Sequence, residues 1–260
     1  MTYEVIEGDC LEVMRGMADA SVDAVICDPP YGVTSCKWDA VIPFAPMWEQ
    51  VKRIAKPRAA IVMFASQPFT SALVMSNPTW FRYTDVWDKR LAVGHLNAKS
   101  RPLRQHEDIC VFSGGTLGNF TYNPQMRTGV LRDKGGYQHS ECYGAQRSVK
   151  IVNDQYHPTS LISIARVQPG TNDHPTQKPV ALMEYLIRTY TNEGETVLDF
   201  TCGSGSTGIG CINTGRNFIG IESHEPYVEI ARRRLADAAP SRTSPRGTKT
   251  PAAVSRIAGP

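Results

Sequence analysis

The chain has 260 residues, 41% of them hydrophobic, and a formal net charge of +3. That length suits one large α/β domain or a core domain with a modest insertion, and so small a net charge is no argument for a nucleic-acid partner. No run approaches the ~20 consecutive apolar residues of a membrane span, and the acid-containing start from Met1 to Asp9 does not read as a secretory leader.

Tyr3 to Glu7 alternates like a strand and stops at Gly8-Asp9, after which Leu11, Val13, Met14 and Met17 recur at helical spacing. Val22 to Cys27 is a short apolar run that stops at Pro29-Pro30. A double proline cannot continue a central strand, so Asp28 is expected at the strand's C-terminal lip. Phe44 to Ile54 reads as a helix, Ala59 to Ala65 as a buried strand, and Thr84 to Trp87 and Ile109 to Phe112 as two more strands. From Ser113 to Asp173, Gly-Gly, Asn-Pro, His-Pro and Pro-Gly steps follow closely on one another. A structureless loop of that length is unusual inside a compact domain, so 113–173 is expected to be an inserted, loop-rich subdomain. Leu182, Tyr185, Leu186 and Tyr190 then form a helical stripe. It is followed by a strand over Thr196 to Phe200, a helix over Thr207 to Asn213, a strand over Asn217 to Glu222 and a helix over Pro226 to Ala236. Residues 237–260 turn to Ala, Pro, Ser, Thr and Arg without periodicity and are expected to be a disordered tail.

Seven cysteines are scattered along the chain, and no two form a C-x-x-C pair. An odd, dispersed set argues against a disulfide framework or a zinc site and fits a reducing, cytoplasmic setting. His95, His139 and His157 have no metal-ligand spacing, and no metal is expected.

Chemistry is concentrated in two places. The first is Asp28-Pro29-Pro30-Tyr31. Ligands of open α/β sheets bind beyond the carboxyl ends of the strands, and this motif puts a carboxylate, a stiffened backbone and an aromatic ring there. Methylation of an exocyclic amine uses all three. The amine's lone pair is delocalised into the base, and acceptors aimed at its N–H groups favour a more nucleophilic nitrogen. Asp28 and the Pro29 carbonyl are candidate acceptors, and Tyr31 can stack on an extruded base. The alternative is a turn in which Pro-Pro simply ends the strand. The second place is the stretch Val197 to Gly208, where Gly203, Gly205 and Gly208 fit G-x-G-x-x-G between a strand and a helix. Glu222 ends the next strand about 20 residues on, where a carboxylate can hold ribose hydroxyls. Alone, this stretch fits a dinucleotide as well as S-adenosyl-L-methionine. A nicotinamide domain, however, needs a second βαβ half, and the only half left is the N-terminal one that carries Asp-Pro-Pro-Tyr. Lys89, Arg90, Lys99, Arg101 and Arg104 form a basic stretch without an internal acid, suited to DNA phosphates or simply to a solvated loop.

Taken in order, these elements resemble the amino-DNA methyltransferases of the β arrangement, in which the catalytic motif precedes the cofactor loop and the target-recognition region lies between. The resemblance spans most of Tyr3 to Ala236. It implies that Asp9 lies near the cofactor adenine and that Asp28, Pro29, Pro30 and Tyr31 form the catalytic motif. It implies further that Thr176, Gln177 and Lys178, within His174 to Pro179, embrace the methionine end of the cofactor. Asp199, Phe200, Thr201, Gly203 and Gly205 would form the cofactor loop, with Glu222 as the ribose acid. Free N–H groups at the helix start beside Lys178 also suit a carboxylate.

The expected fold is α/β: a Rossmann-like methyltransferase with a mainly parallel, mixed, doubly wound sheet of about seven strands and its motifs in permuted order. Residues 1–112 would be the catalytic half, 113–173 the target-recognition region and 174–236 the cofactor half. The expected activity is methyl transfer from S-adenosyl-L-methionine to the N6 amino group of a flipped adenine in DNA, leaving S-adenosyl-L-homocysteine. N4 of cytosine is the same chemistry on another base. RNA or protein-amide methylation, and a non-catalytic DNA-binding module, are the more distant alternatives. A homodimer sharing the duplex is compatible with so small an insert.

Overall fold

A computed structural model describes residues 1–33, 39–134, 139–140, 144–145, 150–168 and 177–239. The N-terminal half runs β1 (Tyr3–Glu7), α1 (Cys10–Gly16), β2 (Val22–Cys27), α2 (Phe44–Ile54), β3 (Ala55–Ala65), α3 (Phe69–Ser76), β4 (Phe81–Val93) and β5 (Arg104–Phe112). The middle of the chain holds β6 (Arg127–Lys134), β7 (His139–Ser140), β8 (Gly144–Ala145), β9 (Ile151–Tyr156) and β10 (Leu161–Ser163). The C-terminal part supplies α4 (Val180–Tyr190), β11 (Thr196–Asp199), α5 (Ser206–Thr214), β12 (Asn217–Glu222) and α6 (Glu225–Ala238).

One eight-stranded sheet runs β1-β12-β11-β2-β3-β5-β4-β10. Only β5 is antiparallel to its neighbours, so the sheet is mixed and mainly parallel, as the sequence led us to expect. Side chains alternate across the central strands. Ala60, Val62 and Phe64 of β3 pack with α4, α5 and α6, whereas Ile61, Met63 and Ala65 pack with α1, α2 and α3. Strands buried on both faces read as continuous apolar runs, which is why Val22–Cys27 and Ala59–Ala65 stand out in the sequence. The two ends of the chain meet in the sheet, where β11 pairs with β2 through Val197–Ala24 and Leu198–Val25. This pairing sets the carboxyl end of β11 beside that of β2.

The structure departs from the sequence reading in several elements. Helix α3 was not expected; its short run Phe69–Ser76 buries Phe69, Thr70 and Leu73 against the core. Strand β4 has 13 residues, not the four of Thr84 to Trp87, because antiparallel pairing with β5 carries half-buried residues into the sheet on both sides of that apolar centre. Within 113–173, β10 lies parallel to β4 and adds an edge strand, with Leu161 opposite Val86 and Ser163 opposite Asp88, which makes eight strands where about seven were expected. Helix α6 runs to Ala238, two residues into the expected tail; residues 240–260 lie outside the described part of the chain. Among the described residues, no helix is long and apolar enough to cross a membrane.

Candidate active site

Strand β2 ends at Cys27, and the next residue carries the first functional carboxylate. The hydroxyl of Tyr31 donates to Asp28 Oδ1 at 2.5 Å, and Lys178 Nζ contacts Asp28 Oδ2. The Asp28 carbonyl accepts from the Thr201 hydroxyl at 3.1 Å. The ring of Tyr31 stacks on Phe69, with centroids 5.1 Å apart, so α3 supports the motif from below. Burial raises the Asp28 pKa, while the Lys178 charge and the Tyr31 hydrogen bond pull it back. The Asp28 side chain keeps 23% of its exposure, so water still reaches the carboxylate and tempers the burial effect.

Lys178 lies in the segment before α4 and lines the cavity of the site. Its Nζ is held between Asp28 and Glu107 and lies 4.9 Å from the centre of the Phe64 ring. Burial works against its charge, but Asp28 and Glu107 outweigh burial and raise its pKa. Glu107, near the middle of β5, also pairs with Lys89 at 3.1 Å. Burial would raise the Glu107 pKa; Lys178 and Lys89 outweigh it and hold the carboxyl ionised. Lys89 is therefore a wall residue with 5% exposure, not a surface contact for phosphate as the basic stretch suggested. Of the other members of that stretch, Arg90, Lys99 and Arg101 are exposed, and Arg104 is half-buried and donates to Ser66 Oγ at 2.7 Å.

The glycine loop follows β11. Asp199 accepts from the Thr201 N–H at 3.1 Å and the Thr207 hydroxyl at 2.6 Å, and burial pushes its pKa up to about 7. Glu222 accepts from the Gly203 N–H and the His224 N–H, each at 2.9 Å, which clamps the loop against the end of β12. Asp9 caps α1, accepting from Leu11 N and Glu12 N at 2.9 and 3.1 Å. Gly205 differs from its expected role at a ligand surface. It has φ +79°, and a Cβ there would meet Leu235 Cδ1 at 2.7 Å, so its missing side chain makes room for α6.

A cavity of about 670 Å³ joins both places. Asp9, Asp28, Pro29, Pro30, Tyr31, Gln177, Lys178, Asp199, Phe200, Thr201, Gly203 and Glu222 line it, and Gly205 does not. Thr176 lies outside the described residues. The volume is in the usual range for small-molecule sites. Phe64, Trp87 and Glu107 also line the cavity and were not assigned roles from the sequence. For Phe64 and Trp87 a clue was present in the alternation along β3 and β4, which aims every second side chain at the same face. One end of the cavity thus offers aromatic walls and ion-paired acids, and the other a glycine loop with two carboxylates that order it.

A family model for N6/N4 methyltransferases, described as DNA methylase, matches residues 22–233. The type II methyltransferase M.HpaI of Haemophilus parainfluenzae is 27% identical over 251 residues, covering 90% of this chain and 74% of that protein. The type II methyltransferase M1.MboII of Moraxella bovis is 27% identical over 243 residues, covering 86% of this chain and 92% of that protein. Among solved structures, the M1.HpyAVI–SAM complex superposes with a TM-score of 0.61 at 24% identity, over 90% of this chain and 99% of that one. The cytosine-N4-specific PvuII DNA methyltransferase superposes with a TM-score of 0.68 at 16% identity, over 94% of this chain and 89% of that one.

Proposed function

The chain belongs to the DNA methylase family of N6/N4 methyltransferases, and from that premise we propose that it moves a methyl group from S-adenosyl-L-methionine to the N6 amino group of an adenine flipped out of DNA. The observation that carries this reading is the shared cavity, which brings the Asp28–Tyr31 lip and the Gly203–Glu222 clamp into one space. The residues present fit the cofactor. Each Glu222 oxygen uses one lone pair on a backbone N–H and keeps another for a ribose hydroxyl. When bound, the cofactor supplies an electrophilic methyl group on a sulfonium.

The chain's own residues orient the acceptor. Among the described residues, Asp28 Oδ1 and Oδ2 each have one hydrogen-bond partner, and a carboxylate oxygen can accept two hydrogen bonds. Asp28 can therefore receive an amine N–H without first releasing Tyr31 or Lys178. The Pro29 carbonyl is the second acceptor, and the Tyr31 ring, supported by Phe69, is the platform for the base. Acceptors fixed before the base arrives need no reorganisation during the reaction. The lost amine proton leaves by way of Asp28 or water. Arg90, Lys99 and Arg101 are the exposed cations offered to phosphates, and residues 113–173 are the segment offered for target recognition.

Adenine is favoured over cytosine because Asp stands first in the Pro-Pro-Tyr motif; enzymes of this resemblance that act on N4 of cytosine more often carry Ser there. The experiment is expression in a methylation-free host, followed by modification-sensitive sequencing of its DNA and mass spectrometry of the nucleosides. N6-methyladenine in one sequence context is the expected product. N4-methylcytosine alone would overturn the base assignment and leave the mechanism standing, and 5-methylcytosine would overturn both.

A further inference from the structure

The ion pairs around Lys178 leave donor and acceptor capacity unspent inside the cavity. An ammonium has three N–H donors. Among the described residues, Nζ makes one hydrogen bond, to Asp28. Glu107 Oε2 is 3.3 Å away, at ion-pair range, yet that oxygen is buried without a hydrogen-bond partner. Buried polar atoms in native folds are nearly always satisfied, and those that are not call for an explanation. Here the Lys178 charge itself meets Oε2, and the Nζ donors not spent on Asp28 are what a ligand edge can take up. Asp28 and Lys178 stand side by side as an acceptor and a donor. Adenine N6–N1 and cytosine N4–N3 both present an amino donor beside a ring-nitrogen acceptor, which is the complementary pattern. Guanine and thymine place a carbonyl where that amino group stands.

We infer that Lys178 is a base-reading residue that donates to the ring nitrogen next to the target amine, and that Glu107, held by Lys89, is the positioning residue that aims it. The inference rests on the amino-transfer reading above and deepens it. The cluster holds two carboxylates, Asp28 and Glu107, and two ammoniums, Lys89 and Lys178. Their charges cancel, so Lys178 can stay protonated in a buried place and act as a donor at neutral pH. The ring centres of Phe64 and Trp87, at 4.9 and 6.0 Å from Nζ, favour the ammonium's charge there. The arrangement selects amino-bearing bases as a class. It does not choose between adenine and cytosine, since both offer the same pair of groups.

The test is a cycle that removes the two partners separately. The full chain and its Lys178→Met variant are assayed on a synthetic duplex carrying the site found by sequencing, and on the same duplex with the target ring nitrogen replaced by C–H (1-deazaadenine, or 3-deazacytosine if cytosine is the target). The wild type should lose at least about tenfold in methyl transfer on the deaza duplex, the scale of one hydrogen bond to a charged group. Lys178→Met should be slower by a similar factor on the natural duplex and should lose less than about twofold more on the deaza duplex. Its affinity for S-adenosyl-L-methionine, measured by calorimetry, should match the wild type. If Lys178→Met does not fold, Glu107→Gln replaces it in the cycle and should show the same non-additivity at smaller size. Fully additive losses in the folded variant overturn the inference. Absence of transfer by the wild type on the natural duplex would instead overturn the amino-transfer reading itself.

Discussion

The Thr201 hydroxyl donates to the Asp28 backbone carbonyl across 3.1 Å and 173 residues of sequence. It joins the loop after β11 to the lip of β2 and so couples the two ends of the cavity. Thr201→Val keeps the shape and removes the link. A single hydrogen bond of this kind contributes ~1 kcal/mol, so the fold should survive with a thermal midpoint a few degrees lower. Methyl transfer should fall by roughly tenfold, because small misplacements of preorganised groups are costly. Stopped assays on methylation-free DNA measure the second effect, and an unchanged rate would show that the link is only structural.

Asp28 separates binding from chemistry. Asp28→Ala removes the proposed acceptor for the amine but leaves the Gly203–Glu222 clamp intact. S-adenosyl-L-methionine should bind within a fewfold of wild type, and methyl transfer should drop by at least ~100-fold. Calorimetry and a filter assay with labelled cofactor give the two numbers. Equal losses in both would move Asp28 from the chemistry to the cofactor site.

Tyr31 tests the state of that carboxylate. Its hydroxyl lowers the Asp28 pKa, so Tyr31→Phe keeps the platform and raises that pKa. An Asp28 that must be ionised to accept the amine then becomes active at higher pH. The acid limb of the pH–rate profile should shift upward in Tyr31→Phe relative to wild type. A shift downward, or none, would mean that the ionised carboxylate is not the working form.

Asp199 gives a stability effect with a definite sign. Burial pushes its pKa from 3.8 to about 7 in the fold, so the native state holds the proton more tightly than the unfolded chain. Stability from this group is complete below the unfolded value and is lost as pH rises through the folded one. The total is at most ~4 kcal/mol over that window. Asp199→Asn cannot titrate, so its thermal midpoint should fall less than that of wild type between about pH 4 and pH 7. Thermal melts at half-unit steps measure the two slopes, and parallel curves would contradict the assignment.

Gly205 is required by helix packing. A Cβ at φ +79° is strained and would press on Leu235 and Ala231 of α6. Gly205→Ala should destabilise by ~1–3 kcal/mol, visible in urea denaturation, while cofactor affinity in the folded fraction stays near wild type. Loss of affinity without loss of stability would restore a direct contact with the ligand.

Most of the sheet was legible because buried parallel strands announce themselves as apolar runs, and helix α2 was read to its ends at Phe44 and Ile54. Asp28 was legible for the same reason: Pro29-Pro30 can only follow a strand, not continue it. Glu107 was not legible. It lies in a polar stretch, Arg104 to Asp108, that forms a strand only because β4 pairs with it. Lys178 was singled out without its ion-pair partners, since its proximity in sequence to α4 says nothing of the Asp28 carboxylate 150 positions away. Long-range ion pairs of this kind leave no periodic trace.

Strand β10 returns the chain to the sheet after its excursion, lying against Val86, Trp87 and Asp88, and the Trp87 indole N–H donates to the Ile164 carbonyl at 2.8 Å. The segment that begins after Phe112 is thus fastened at both ends to one scaffold. Its first part is itself packed on that scaffold, since Phe120 is buried in the core and Asn123 donates to the carbonyls of Thr189 and Thr191, so only changes confined to the stretch from β6 to β9 are expected to leave the register of β10 and the position of Trp87 as they are. If the proposed target-recognition role of this segment holds, a foreign segment grafted in place of the stretch from β6 to β9 should transplant sequence preference while the methylating centre stays as it is.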